Sequence, residues 1–162
     1  MNFNNFTEPG TSKKLDDDSD ILVEVKNLKQ KNERTIPRFV QSENYAKAFG
    51  MQWNKFKKTQ LDSFTKQPIS YNRLRTAFGS HLNELKGKKV LEAGCGSGRF
   101  TEILLSHGAE VYAFDYSNAV DANYDNNMPH ERLTLFQADI RKIPFPENFF
   151  DIVICLGVLQ HT

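Results

Sequence analysis

The chain has 162 residues, with 21 Lys and Arg against 20 Asp and Glu for a formal net charge of +1, and 39% of its residues are hydrophobic. A charged fraction of 25% at near-zero net charge argues against wholesale disorder and against a polyanion-coating protein. The longest apolar run, Ile152 to Leu159, contains Gly157 and falls far short of the roughly 20 residues a membrane span needs. The first residues have neither a basic n-region nor an apolar h-region, so no secretory leader is expected. Cys95 and Cys155 stand in separate apolar segments without C-x-x-C spacing or a His-rich neighbourhood. A reducing, cytoplasmic setting is expected, with neither a disulfide framework nor a metal site.

Residues 1–22 are polar, carry Pro9-Gly10 and the acids Asp16, Asp17, Asp18 and Asp20, and show no apolar period. They read as a mobile, disordered tail. Residues 23–87 read as a mainly helical extension. Within it, Glu24 to Lys58 holds nine basic residues against three acids, interleaved with Phe39, Tyr45, Phe49, Trp53 and Phe56. Such a stretch is either a nucleic-acid surface or a solvated helical face over a packed aromatic stripe, and the absence of any RNA-binding signature favours the second. Leu74, Ala77, Phe78, Leu82 and Leu85 then recur at helical spacing between Ser70, a candidate N-cap, and Gly87, a candidate C′ residue.

From Lys88 onward short apolar runs alternate with helix-sized segments: strands at Lys89 to Ala93, Glu110 to Phe114, Leu133 to Ala138 and Phe149 to Leu156, helices at Arg99 to His107 and Asn118 to Asn127. The alternation predicts an α/β, doubly wound parallel sheet over residues 88–162. Val90-Leu91 and Ile152-Val153-Ile154 are apolar without alternation, as strands covered on both faces should be.

The chemistry concentrates at Glu92-Ala93-Gly94-Cys95-Gly96-Ser97-Gly98-Arg99, where the first strand should turn into a helix. Glycines there let the backbone approach a ligand, and the helix start is expected to present unpaired N–H groups. The dinucleotide pattern G-x-G-x-x-G is not met, because Arg99 occupies the place of its third glycine. Asp115 follows the second predicted strand, 21 residues beyond Gly94. It is placed either to accept both hydroxyls of a ribose or to cap the helix that follows.

The ordered series E-A-G-C-G-S-G, A-F-D-Y-S, Q-A-D-I and I-P-F-P-E-N-F-F-D-I-V-I-C-L-G-V-L-Q-H resembles that of class I S-adenosylmethionine-dependent methyltransferases of the type-11-like kind. The resemblance implies a Rossmann-like sheet, S-adenosylmethionine as cofactor and S-adenosylhomocysteine as product. It implies that Gly94, Cys95, Gly96 and Gly98 pack against the methionine and ribose, that Glu92 orients that region, and that Asp115, with Tyr116 beside it, takes the ribose diol. Asp139 would accept from the adenine amino group, Ile140 would cover the ring, and Leu156 would offer a carbonyl near the methionine amine. Asp139 also reads as an ordinary turn or cap aspartate. Upstream, I-P-R-F-V, Q-W-N-K-F and T-Q-L-D-S are similar to a segment preceding the methyltransferase domain in a poorly characterised bacterial group. The cysteine-rich zinc ribbon frequent there has no counterpart here, since no cysteine precedes Cys95. Trp53 and Phe56 read as core or lid packing ahead of substrate contact, and Gln60 and Asp62 likewise.

A sulfonium methyl is already electrophilic, so a general base is optional. Gln160 and His161, after the fourth strand, are the catalytic candidates, His161 either as a base or as a polar residue at a helix start. The expected function is methyl transfer to a small-molecule or lipid- or sugar-linked acceptor. The alternatives are a non-catalytic cofactor-binding fragment and another Rossmann nucleotide-binding enzyme. Only four strands are expected, so the fold reads as truncated after the fourth, with an exposed sheet edge prone to self-association.

Overall fold

The computed structural model describes residues 5–15, 36–40 and 46–159. Its elements in chain order are α1 (Lys47–Lys55), α2 (Asp62–Thr65), α3 (Ile69–Phe78), a 3-10 stretch (Gly79–Glu84), β1 (Lys89–Ala93), α4 (Thr101–Ser106), β2 (Glu110–Asp115), α5 (Val120–Asn127), β3 (Leu133–Gln137) and β4 (Ile152–Cys155). The four strands form one parallel sheet in the order β3-β2-β1-β4, with Val90 opposite Val111 and Ile152, and Ala113 opposite Leu135. All strands therefore end at the same side, where β1 and β4 deliver the glycine loop and the segment from Leu156 together.

Alternation along each strand sends side chains into two cores. Val90, Val111, Ala113, Leu133, Leu135 and Ile154 pack with Leu74, Leu104, Leu105 and Val120 from the helices. Leu91, Ala93, Tyr112, Phe114 and Phe136 face the other way, against Phe6, Ala138 and Phe145, with Phe149 and Phe150 packed against that cluster. Among the described residues, non-helical chain packs on this second face with a dense aromatic cluster: Phe145 lies within 5.5 Å, centroid to centroid, of Phe6 (4.7 Å), Tyr112 (5.3 Å), Phe136 (5.4 Å), Phe149 (5.1 Å) and Phe150 (5.0 Å).

Residues 5–15, read from the sequence as part of a mobile tail, pack on the sheet. Phe6 is 1% exposed, Thr7 N–H donates to Pro144 O at 3.0 Å, and Leu15 N–H donates to Phe6 O at 3.2 Å. Pro9-Gly10 makes the return, with Gly10 at φ +77° and Thr7 bridged to Lys14. A lone aromatic in a polar stretch has no periodicity to betray it, yet burying one Phe contributes about 2 kcal/mol.

The I-P-R-F-V string extends the sheet. Gln137 N–H donates to Pro37 O and Phe39 N–H to Gln137 O, both at 2.8 Å, so residues 37–39 line the outer side of β3. Arg38 is buried there, donating to Gln137 Oε1 at 2.5 Å and pairing with Asp121 at 2.7 Å. Lys57 pairs with Asp125 at 2.8 Å. Two cations of the basic stretch are thus structural contacts to α5, while Lys26, Lys29, Lys31 and Arg34 lie outside the described residues.

The helix predicted over Ser70 to Lys86 is α3 followed by the 3-10 stretch. Gly79, at φ +59°, closes α3, ahead of Gly87 at φ +73°. Ser70 is not its cap: Asp62 accepts Ser70 N–H at 2.9 Å and Tyr71 N–H at 2.8 Å, so a carboxylate from α2 holds the helix start.

Breaking the Arg38–Asp121 pair strands a partly buried carboxylate, so Arg38→Ala is expected to cost about 3 kcal/mol in urea unfolding. An unchanged midpoint would show that residues 36–40 do not anchor the sheet. On the opposite edge β4 has no strand neighbour among the described residues beyond β1, and Val153 is 59% exposed. That edge is expected to drive concentration-dependent self-association and Val153→Lys to suppress it. Sedimentation velocity on both proteins checks this, and a wild-type chain monomeric at every concentration removes the expectation.

Candidate functional site

Beyond β1 the chain folds back onto the end of β2. Gly94 and Cys95 both donate their N–H to Phe114 O, at 2.8 and 2.9 Å, Gly96 N–H donates to Asp115 Oδ2 at 3.0 Å, and Gly98 N–H to Cys95 O at 2.9 Å. This corrects the expectation of a loop presenting unpaired N–H groups: four of its donors are satisfied internally. Gly94, at φ +77°, admits no side chain, since a Cβ would lie 2.1 Å from Val158 Cγ2. Gly98, at φ +88°, lies against α5, where a Cβ would meet Asn123 Oδ1 and Asn127 Nδ2 at 2.3 Å.

A buried polar chain holds the loop from beneath. Asn127 Nδ2 donates to Gly98 O at 3.3 Å and to Asn123 Oδ1 at 2.8 Å, Asn123 Nδ2 to Thr101 Oγ1 at 2.9 Å, and Thr101 Oγ1 to Glu92 Oε2 at 2.5 Å. Asn126 Nδ2 donates to Ser97 O and to Lys57 O, each at 2.8 Å. Glu92 Oε1, buried, has no partner among the described residues. Burial drives the Glu92 carboxyl up to about 8, opposed by the Thr101 hydrogen bond and aided by the Asp115 charge. The same burial pushes the Cys95 thiol up, with Glu92 and Asp115 adding to it.

Above the loop opens a cleft of about 580 Å³, within the ~300–1,000 Å³ of small-molecule sites. Of the residues expected to hold a cofactor, Gly94, Cys95, Gly96, Asp115, Tyr116, Asp139, Ile140 and Leu156 line it. Glu92 and Gly98 do not; they support the loop from behind. Asp115 stands between the cleft and the start of α5. Its Oδ1 accepts Ser117 N–H at 2.9 Å and Ser117 Oγ–H at 2.8 Å, which organises the entry to α5, while the residue still faces the cleft. Asp139 also forms a turn: Arg141 donates to it from its backbone N–H at 2.9 Å and from Nη2 at 2.6 Å, holding the carboxyl below the ordinary range. Gln160 and His161 lie outside the described residues.

The facing wall comes from the N-terminal extension. Ala46, Phe49 and Trp53 of the α1 segment, with Gln60, Arg73 and Arg99, complete the cleft. Trp53 lies across the loop, its indole 3.6 Å from the position of a Gly96 Cβ. α1 is clamped to the start of α5: Asn54 Nδ2 donates to Asn118 O at 2.9 Å, and Gly50 sits so close to Asn118 that a Cβ would be 1.8 Å from Oδ1. Phe49 was read only as one of the aromatics of the basic stretch, and Arg73 was not singled out. Ala46, Phe49 and Trp53 do share a helical face, a signal that was available, whereas nothing in the sequence marks Arg73.

Residues 91–162 match the methyltransferase domain family. The parallel order β3-β2-β1-β4, with the loop at the ends of β1 and β2, is a Rossmann-like arrangement. The chain is 34% identical over 93 residues to the ubiquinone biosynthesis O-methyltransferase of Coxiella burnetii, covering 56% of this chain and 40% of the relative. It is 27% identical over 129 residues to a protein of Mycolicibacterium smegmatis described as an S-adenosylmethionine-dependent methyltransferase, covering 80% of this chain and 40% of that one. A solved structure from Methanococcus maripaludis, described in the same terms, superposes with a TM-score of 0.56 at 18% identity over 76% of this chain and 55% of its own. The chain spans about two-fifths of the length of these curated relatives.

The folded-state value for Glu92 lies above the ordinary 4.5, so the folded protein holds an extra proton between about 4.5 and about 8 and loses stability as pH rises through that window. Glu92→Gln is expected to raise the melting temperature at about pH 9, by about 2–4 °C per kcal/mol relieved, and to change it little at about pH 4.5. Two parallel melting-versus-pH profiles would show that this carboxyl does not titrate.

Proposed function

We propose that the cleft binds S-adenosylmethionine and serves methyl transfer to a small-molecule or lipid- or sugar-linked acceptor. The observation that carries this reading is the inward use of the glycine loop. A pyrophosphate seat needs N–H groups pointing at the ligand, but those of Gly94, Cys95, Gly96 and Gly98 are engaged within the chain. What remains is a cleft lined by apolar residues, the carboxylates of Asp115 and Asp139 and the arginines Arg73, Arg99 and Arg141, with polar groups and apolar cover for a ribose and a purine. The residues fit the cofactor. Asp115 Oδ2, which accepts only Gly96 N–H, retains a lone pair for a hydroxyl donor, Ile140 and Leu156 offer apolar cover beside Asp139, and the buried Glu92 Oε1, unpartnered among the described residues, adds negative potential under the loop whenever Glu92 ionises.

When bound, the cofactor supplies an electrophilic methyl on a sulfonium. The chain's own residues bind, orient and exclude water: Trp53 over Gly96 covers the loop, and Asp115 ties the loop to β2, fixing where the ribose would sit. Gln160 and His161 are proposed as acceptor-side groups on their position after β4. A cytoplasmic location goes with this reading, and among the described residues no helix is long and apolar enough to cross a membrane.

Isothermal titration tests the reading. S-adenosylhomocysteine should bind and NAD should not, and the reverse would favour a dinucleotide enzyme. Asp115→Ala is expected to weaken S-adenosylhomocysteine binding by about 1–3 kcal/mol in a protein whose circular dichroism is unchanged. Undiminished affinity would take Asp115 out of the ribose role.

A further inference from the structure

The I-P-R-F-V string holds one polar side chain, Arg38, and it is 6% exposed. Anchoring the string to the sheet is work that apolar residues do, as Phe39 does against Phe6 and Phe136. A buried guanidinium gives up hydration that only well-aimed acceptors offset. The Arg38 fork reaches two elements: Nη1 donates to Gln137 Oε1 on β3 at 2.5 Å, and Nη2 donates to Asp121 Oδ1 in the first turn of α5 at 2.7 Å.

The consequence falls on Gln137. A carboxamide has a donor end and an acceptor end, and either can turn toward a neighbour, but arginine carries donors only and so takes the oxygen. With Oε1 held at Arg38, Nε2 faces the other way and donates to Tyr116 O at 2.9 Å. Gln137 is 1% exposed, and its backbone is gripped on both sides by Pro37 O and Phe39 N–H. Burial keeps water from substituting for either partner. Tyr116 and Asp121 bracket the turn from β2 into α5, so Arg38 holds that turn at one end through Gln137 and at the other directly. Asp115, which accepts Gly96 N–H and Ser117 N–H, opens the turn, and both Asp115 and Tyr116 line the cleft.

We propose that Arg38 is a positioning residue for the cleft: acting through Gln137, it fixes the turn that carries Asp115 and Tyr116 and thereby sets the affinity of the cleft for a ribose-bearing ligand. The ligand class rests on the S-adenosylmethionine reading; the hold on the turn rests on the hydrogen bonds. Arg38→Lys, Gln137→Met and the double variant test it in the intact chain. Lysine keeps the charge beside Asp121 without the planar fork, and methionine keeps the apolar bulk without the amide. Two quantities are read: hydrogen–deuterium exchange of peptides covering residues 115–120, with residues 89–93 of β1 as the reference for global opening, and S-adenosylhomocysteine affinity by titration calorimetry. Each single variant should speed exchange at 115–120 about tenfold relative to β1 and weaken S-adenosylhomocysteine about tenfold. The double variant should be no worse than the worse single, because the two residues act in series. Exchange at 115–120 that merely follows β1 reduces Arg38 to an anchor and overturns the proposal. So does faster exchange with unchanged affinity, and additive losses in the double variant overturn the route through Gln137. Faster exchange at 115–120 in a chain whose wild type binds no S-adenosylhomocysteine overturns the cofactor reading and upholds the hold on the turn.

Discussion

The hydrogen bonds that fasten the glycine loop to the end of β2 are the constraint on which the site depends. One carbonyl, Phe114 O, takes two N–H groups, and the next side chain, Asp115, takes a third. Each bond contributes about 1 kcal/mol in net terms, but losing an acceptor would leave a donor unsatisfied under the loop. The geometry follows: the loop cannot rise toward a ligand, so the cleft opens beside it, and the strand ends of β1, β2 and β4 share one rim. The same bonds explain why Arg99 is harmless where a dinucleotide fold requires glycine. Its side chain leaves toward Ser70 and Gln60, away from the close contact that Gly98 makes with α5.

The N-terminal segments join the sheet rather than sit apart from it. Residues 37–39 line β3, Arg38 reaches Asp121, Lys57 reaches Asp125, and Asn54 reaches the start of α5. α5 is the common anchor, and its asparagines also brace the loop. The wall formed by α1 and the wall formed by the loop are thus referenced to one helix, which sets the width of the cleft between Trp53 and Gly96. A change at Gly50 would reach the cleft by this route, because any side chain there collides with Asn118.

Much of this was legible in the residues. Apolar runs without alternation marked β1 and β4, the glycine string marked the turn, and the spacing from Gly94 to Asp115 marked two strand ends that meet. These signals are local and repeat with a fixed period. Phe6, Asp62 and Arg73 were not legible for the opposite reason. Phe6 is one apolar residue in a polar stretch and finds its partners, Phe39 and Phe145, only in three dimensions. Asp62 caps a helix beginning seven residues later, and capping signals are read over three or four. Glu92 was read as a ligand residue and stands behind the loop, since a carboxylate at a strand end has two faces to choose from and pairing with Thr101 decided it.

The sulfur in the cleft wall has a chemical corollary. Cys95 is 3% exposed, its proton is held tightly by burial and by the negative charges nearby, and its Sγ leans on Gly96 O at 3.7 Å. Thiolate, the form attacked by peroxide and by alkylating agents, is therefore scarce at this position at neutral pH. Burial raises Cys155, on β4, in the same direction. The protein carries cysteines near the ends of two adjacent strands, Ala93 and Cys155 being paired across β1 and β4, and at both positions burial favours the thiol over the thiolate.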